Sequence, residues 1–196
     1  MLVTACVNND VKTFMQVLSG DNGPFNPNSP DSHGNTALHV TIATDTDAKF
    51  AMLKALVAHP DVNFNLKSKT GKTPLMIGIE RGRDSAVLLV LKTGKSDLHI
   101  LDNAGKSVIS LALEKSPTKL AMLLAFGNLT PTDLPLDRDA PASTFVGKWG
   151  FVANFLRNPE VTRKELQQQF TPSVITPTVV MRDLSVWPPL AHSSCD

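Results

Sequence analysis

Asn65-Leu-Lys-Ser-Lys-Thr-Gly71-Lys-Thr-Pro-Leu-Met76 is the clearest form of a pattern that this chain writes three times. The other copies are Asn28-Ser-Pro-Asp-Ser-His-Gly34-Asn-Thr-Ala-Leu-His39 and His99-Ile-Leu-Asp-Asn-Ala-Gly105-Lys-Ser-Val-Ile-Ser110. In each, a glycine follows six residues after the first, and a Thr or Ser stands two residues further on. The glycines lie 37 and 34 residues apart. Such a period marks a stacked array of similar units rather than one closed core.

Each position has a physical task. Gly34, Gly71 and Gly105 sit in a tight turn, where positive φ carries little steric cost for glycine. Thr36, Thr73 and Ser107 are placed to accept a hydrogen bond from the first helical turn. Pro74 then suits a helix start, because its fixed φ is helical and its missing N–H is not needed there. Leu38, Leu75 and Ile109 follow as core side chains. A second helix of each unit shows as dense apolar spacing at Phe50, Met52, Leu53, Leu56 and Val57, at Val87 to Leu91, and at Leu120, Met122, Leu123, Leu124 and Phe126. Breakers follow each time, as His59-Pro60, Gly94 and Gly127.

The turn, the Thr-Pro-Leu-His-like start and the period near 33 residues resemble the ankyrin-repeat family. Asp61-Val-Asn63-Phe-Asn65 resembles the family's Asp-Val-Asn run, Asp31 and Asp102 match its Asp three residues before the glycine, and Ser68 takes that place in the middle unit. Of the family's histidine only His39 remains; Met76 and Ser110 stand in the other two positions. The resemblance implies an all-α fold, an ankyrin-repeat solenoid of helix-turn-helix units with short β-hairpin-like finger turns and a helical C-terminal cap. It covers residues 1–127, read as an N-terminal half-cap 1–27 and repeats over about 28–64, 65–98 and 99–127. The longer first period implies an insertion of about four residues, placed most economically in the loop at 43–48.

Beyond Gly127 the composition changes. Residues 128–144 read as an extended Pro-rich connector. Phe145 to Arg157 reads as an amphipathic helix, and Asn158-Pro159-Glu160 as the start of another running to about Phe170. This hairpin, 145–170, is expected to cap the last apolar face of the array. Residues 171–196 read as an irregular tail.

Composition sets bounds on function. The 196 residues are 42% hydrophobic and 19% charged, as in folded globular proteins, and the net charge of +1 implies no overall attraction to nucleic acid. No apolar run approaches the 18 or so residues that span a bilayer, and the N-terminus has no basic start or long apolar core. Val3-Thr-Ala-Cys6 resembles a lipoprotein cleavage site, but only five residues precede the cysteine. These features lead to an expected cytoplasmic or nuclear location without membrane insertion; they leave the oligomeric state open, with a monomer favoured over an oligomer.

The residues that invite a chemical reading have structural alternatives. By the resemblance, His39 is expected to hydrogen-bond backbone between neighbouring repeats. His33 stands at a finger tip as a partner contact, and His59 at a helix end near the terminal carbonyls. His192 and Cys195 lack a second ligand pair, so no metal site is expected. Cys6 reads as a small buried hydrophobe, and Asp45/Asp47 and Asp137/Asp139 as solvated loop carboxylates. There is no phosphate-binding glycine loop or dinucleotide fingerprint, and no cofactor is expected.

The resemblance therefore implies a non-enzymatic module that binds a protein partner through its concave face and finger turns. The expected finger tips are Asp31, Ser32, His33 and Asn35; Ser68, Lys69, Thr70 and Lys72; and Asp102, Asn103 and Lys106. The expected exposed stripe on the first helices is Val40 and Thr44, Ile77 and Arg81, Leu111 and Lys115. A second reading makes the repeats a targeting module of a secreted bacterial effector, delivered into a host cell, or of a ubiquitin-ligase adaptor. There residues 128–196 would dock a second protein through Leu134, Trp149, Phe151 or Trp187. No clear F-box or SOCS-box pattern supports the adaptor form.

Overall fold

A computed structural model describes residues 2–20, 23, 25–134 and 150–170. Among these residues every regular element is helical and no strand is present. The short pair α1 (Leu2–Val7) and α2 (Val11–Leu18) opens the fold. Three further pairs follow: α3 (Ala37–Ile42) with α4 (Asp47–Ala58), α5 (Pro74–Glu80) with α6 (Asp84–Leu91), and α7 (Val108–Lys115) with α8 (Pro117–Phe126). A last pair, α9 (Gly150–Arg157) and α10 (Pro159–Gln169), ends the described chain.

The helices stack in two rows. In one, α1, α3, α5 and α7 pack each on the next; in the other, α2, α4, α6, α8 and α10 do the same. Because each helix is sandwiched between two others, its apolar residues are spread around it. Leu38, Ile42, Met52, Leu53 and Leu56 in the first full unit, and Leu75, Met76, Ile79 and Val87 in the second, are all essentially inaccessible to solvent.

The finger turns are built alike. Asp31 N–H donates to Asn35 O (2.8 Å) and Gly34 N–H to Asp31 O (3.0 Å); the same two bonds recur at Ser68/Lys72 and Gly71/Ser68, and at Asp102/Lys106 and Gly105/Asp102. All three glycines have φ between +73° and +78°. At Gly71 a second constraint applies, because a Cβ there would stand 2.5 Å from the backbone nitrogen of Asn103 in the next finger.

The helix starts share a device that the residue types disguise. Thr36 N–H donates to His39 Nδ1 (3.1 Å), Thr73 N–H to Met76 Sδ (3.5 Å) and Ser107 N–H to Ser110 Oγ (2.8 Å). Histidine, methionine and serine thus all accept from the cap residue three positions earlier, as Glu does in an ordinary capping box. Thr73 and Ser107 return the bond through their hydroxyls to Met76 N–H and Ser110 N–H.

Three expectations change. The extra residues of the first unit lie in α4 rather than in the loop before it. Asp47 follows Gly34 by 13 residues, as Asp84 follows Gly71, but α4 has 12 residues and α6 only 8. About one added helical turn returns the chain to the same face, so the stacking register survives. The start of the expected extended connector is instead folded: Pro131–Asp133 forms a 3-10 turn, Asp133 accepts from Thr130 N–H (2.6 Å), and Leu129 and Leu134 are buried. Proline at the first position of a helical turn favours this geometry rather than opposing it. Finally, the helix expected from Phe145 is described from Gly150; residues 135–149 and 171–196, with Trp149, Asp137/Asp139, Trp187, His192 and Cys195, lie outside the described residues.

Candidate interaction surface

Neighbouring units are clipped together on two edges. On the finger edge, Lys69 N–H donates to His33 O (3.0 Å) and Asn103 N–H to Thr70 O (3.3 Å), while Asn103 Nδ2 donates to Lys69 O (2.9 Å). On the opposite turn, Asn28 Nδ2 donates to Asp61 O (2.8 Å) and its Oδ1 accepts from Asn63 N–H (2.8 Å). Asn65 repeats this with Lys95 O (3.2 Å) and Asp97 N–H (2.8 Å). The asparagines that open the first two copies of the motif are therefore inter-unit staples. His99, at the same position in the third copy, instead faces Asp133, with Nε2 and Oδ1 3.9 Å apart.

His39 joins the two kinds of contact. Its Nδ1 accepts from Thr36 N–H, so Nε2 carries the proton and donates to Lys72 O (3.1 Å), the backbone between the second finger and α5. Burial lowers its pKa below the ordinary 6.5, although Lys72 O and the carboxylate of Asp31 act in the other direction. The neutral ring suits this arrangement, because a second proton on Nδ1 would meet the Thr36 N–H. The expectation of a backbone-binding His39 is met. His59 differs from expectation: its Nδ1 accepts from Asp61 N–H (3.2 Å), and its ring lies edge-on to Phe25 at 5.8 Å.

Several expected contact residues turn out to build the turns. Asp31 Oδ1 accepts from His33 N–H and Asn35 N–H (both 2.8 Å), and Asp102 Oδ1 from Ala104 N–H (2.8 Å) and Lys106 N–H (2.9 Å). Ser68 and Asp102 are buried, and Ser68 Oγ meets Thr70 Oγ1 at 2.8 Å. Leu111, expected on the exposed stripe, is 3% exposed and belongs to the core of the third unit.

The remaining expected residues divide by what already engages them. Lys72 and Lys106 are tied to Glu80 and Glu114, eight residues on, at 2.6 and 2.7 Å. Thr44 is half-buried and accepts from Lys49 Nζ (3.3 Å); Val40, Ile77 and Asn35 are half-buried. Ser32, His33, Lys69, Thr70, Arg81, Asn103 and Lys115 are exposed. Between the second and third fingers and the ends of α5 and α7 runs a groove of about 620 Å³. Its walls carry Lys69, Lys72, Glu80, Lys106, Glu114 and Lys115, with Leu111 also lining it. Asp45 is solvated as expected, its side chain 76% exposed, and it also meets Arg83 across the two inter-helix loops at 3.3 Å.

The C-terminal pair joins the array differently. Arg163 donates to Leu124 O (3.4 Å) and Leu129 O (2.5 Å), and Gln167 Nε2 to Ala125 O (2.7 Å). The bonds to Leu124 and Ala125 satisfy carbonyls that the end of α8 leaves without helical partners, the bond to Leu129 ties down the segment after it, and a cation is placed where the helix dipole is negative. Phe151, Phe155 and Leu166 are fully buried and Phe126 meets Phe170 edge-on at 6.3 Å. Phe151 and Leu134, named above as docking contacts of a second partner, are thus core residues.

Two hydroxyl–imidazole contacts lie on and beside the first finger, Ser32 Oγ with His33 Nδ1 (3.3 Å) and Thr36 Oγ1 with His39 Nδ1 (2.9 Å). Burial pushes the Cys6 thiol up to about 12, which keeps it protonated and unreactive. No group of three His, Cys, Asp or Glu side chains among the described residues is placed to hold a metal ion. No described helix is long and apolar enough to cross a membrane.

Repeated glycine fingers, paired helices and inter-unit staples define a helical-repeat binding scaffold. The chain belongs to the ankyrin-repeat family: the family model for ankyrin repeats (3 copies) matches residues 1–102. The match ends inside the third finger, yet that finger and α7 repeat the geometry of the two before them. Among curated proteins the chain is similar to human Rabankyrin-5, 25% identical over 99 residues, and to its mouse counterpart at 23%. It is also similar to glycerophosphocholine phosphodiesterase gde1 of Schizosaccharomyces pombe, 30% identical over 122 residues. The alignments cover 50% and 62% of this chain but only 8% and 10% of the human and yeast proteins. Ankyrin repeats are generally protein-interaction modules.

Proposed function

We propose that this chain is a non-enzymatic interaction module that binds a protein partner through the finger turns and the helix face beside them. The observation that carries this reading is the groove between the second and third fingers, where exposed polar tips and charged side chains surround the buried Leu111. A concave surface edged by polar and charged side chains suits protein recognition. Asp31, Ser68, Asp102 and Leu111 support the surface from beneath, so contact falls to Ser32, His33, Lys69, Thr70, Ile77, Arg81, Asn103 and Lys115. The test is partner capture from lysate with the native chain and a Lys69→Glu/Arg81→Glu variant. A specific partner should be lost from the variant; equal recovery with both removes this face from the account.

The pair α9–α10 acts in this reading as a cap rather than a docking arm, supported by its bonds to the carbonyls of Leu124 and Ala125 in α8 and of Leu129 beyond it. Deletion of residues 128–196 should then lower the melting temperature of the repeats. Unchanged melting would favour a separate docking function for that region.

A further inference from the structure

We infer that the groove between the second and third fingers receives an extended acidic segment of the partner, with Lys69 and Lys115 as the cations that meet its carboxylates. The inference rests on the binding reading above and specifies the chemistry of the occupant. Its basis is how the charges of the groove are used. Each carboxylate there is already committed: Glu80 to Lys72 at 2.6 Å, Glu114 to Lys106 at 2.7 Å, and Asp102 to the N–H groups of its own turn. Two of the four lysines are consumed by these pairs. Lys69 on the second finger and Lys115 at the end of α7 are exposed, and neither has an ion-pair partner among the described residues. The groove thus sets four lysines against three carboxylates, and Lys69 and Lys115 are the two cations outside its ion pairs.

The internal pairs also make the arrangement selective. Lys72–Glu80 and Lys106–Glu114 occupy equivalent positions in consecutive units, so the free lysines share the groove with fixed carboxylates. A ligand with evenly dense phosphates would be repelled by those carboxylates, and no aromatic side chain lines the groove to stack a base. Spaced Asp or Glu side chains on an extended backbone avoid that repulsion and find complementary charge, which favours encounter and fixes register.

The experiment uses the whole chain and a fluorescein-labelled peptide of alternating Glu and Ser, followed by fluorescence anisotropy. Its Gln-for-Glu counterpart and a labelled oligothymidylate serve as comparators. Binding of the Glu peptide should weaken with added salt. The Gln peptide, and a Lys69→Glu/Lys115→Glu variant with the Glu peptide, should each bind about tenfold or more weaker. A Lys164→Glu control, exposed on α10, should bind as the native chain does, and melting curves should show both variants folded. No binding of the Glu peptide, equal binding of the Gln peptide, or an equal loss in the control overturns the inference. Oligothymidylate bound as tightly as the Glu peptide overturns the assignment to a protein segment. A captured partner lost on Lys69→Glu/Arg81→Glu, with no affinity for the Glu peptide, would leave the binding reading standing and remove only its acidic chemistry.

Discussion

The junctions between the repeat units and the junction with the last helical pair are made of different materials. Inside the array the fingers touch backbone to backbone, at His33 O with Lys69 N–H and Thr70 O with Asn103 N–H. Asn28 and Asn65 staple the other edge, and His39 clips the middle. At the C-terminal end the work passes to long side chains, Arg163 and Gln167, reaching the carbonyls of Leu124 and Ala125 in α8 and of Leu129 beyond it. Backbone contacts demand a fixed close approach and hence particular small or short residues. Side-chain contacts span a variable gap, so they tolerate a unit that departs from the repeat.

The sharpest way to break this contrast is at the finger glycines. Gly71 has φ +77° and lies against the next finger, whereas Gly105 has φ +73° and open space around it. Gly71→Ala should lower unfolding stability by about 3 kcal/mol, and Gly105→Ala by about 1 kcal/mol, in urea titrations. Equal losses would mean that conformation alone, not the approach of the next finger, constrains these sites.

His39→Ala should come next, at about 2 kcal/mol, since it strands buried backbone groups of Thr36 and Lys72. The same site makes a pH prediction. The folded ring holds its proton less tightly than the unfolded one, so stability is full above the ordinary pKa of 6.5 and declines as pH falls below it. His39→Gln should flatten that decline between neutral and mildly acidic pH; an unchanged slope would assign it to other groups.

Arg163→Met keeps an unbranched apolar stem but removes the bonds to Leu124 O and Leu129 O. A loss of about 1.5 kcal/mol is expected, together with earlier proteolysis in α9–α10 than in the repeats. Simultaneous cleavage of both regions would show that the two junctions are equally firm. The smallest contrast is at the staples. Asn65→Ala should cost about 1 kcal/mol, and His99→Ala less than about 0.5 kcal/mol, because His99 makes no comparable pair of bonds among the described residues.

Much of this architecture was visible in the residues. Gly34, Gly71 and Gly105 identified the fingers, and Thr36, Thr73 and Ser107 the helix starts, because both depend on sterics and hydrogen bonds within a few residues. The interaction surface was less visible. Lys72 and Lys69 look equivalent in the chain, yet one is spent on Glu80 and the other is free. A spacing of eight residues across a turn gives no simple periodic signal. Arg163 likewise reads as an ordinary helix charge until α10 lies on α8.

By itself the sequence determined the unit: a glycine finger, a capped helix, an apolar second helix, and their repetition. These are local choices, settled by backbone strain, capping and hydrophobic spacing. Tertiary structure alone decided which polar groups remained available. It covered Leu111, absorbed the extra turn of the first unit into α4, committed Glu80 and Glu114 to lysines, and left Lys69 and Lys115 exposed. The reason is that availability is a property of the stack: a side chain is free or engaged only once the next unit has taken its place beside it.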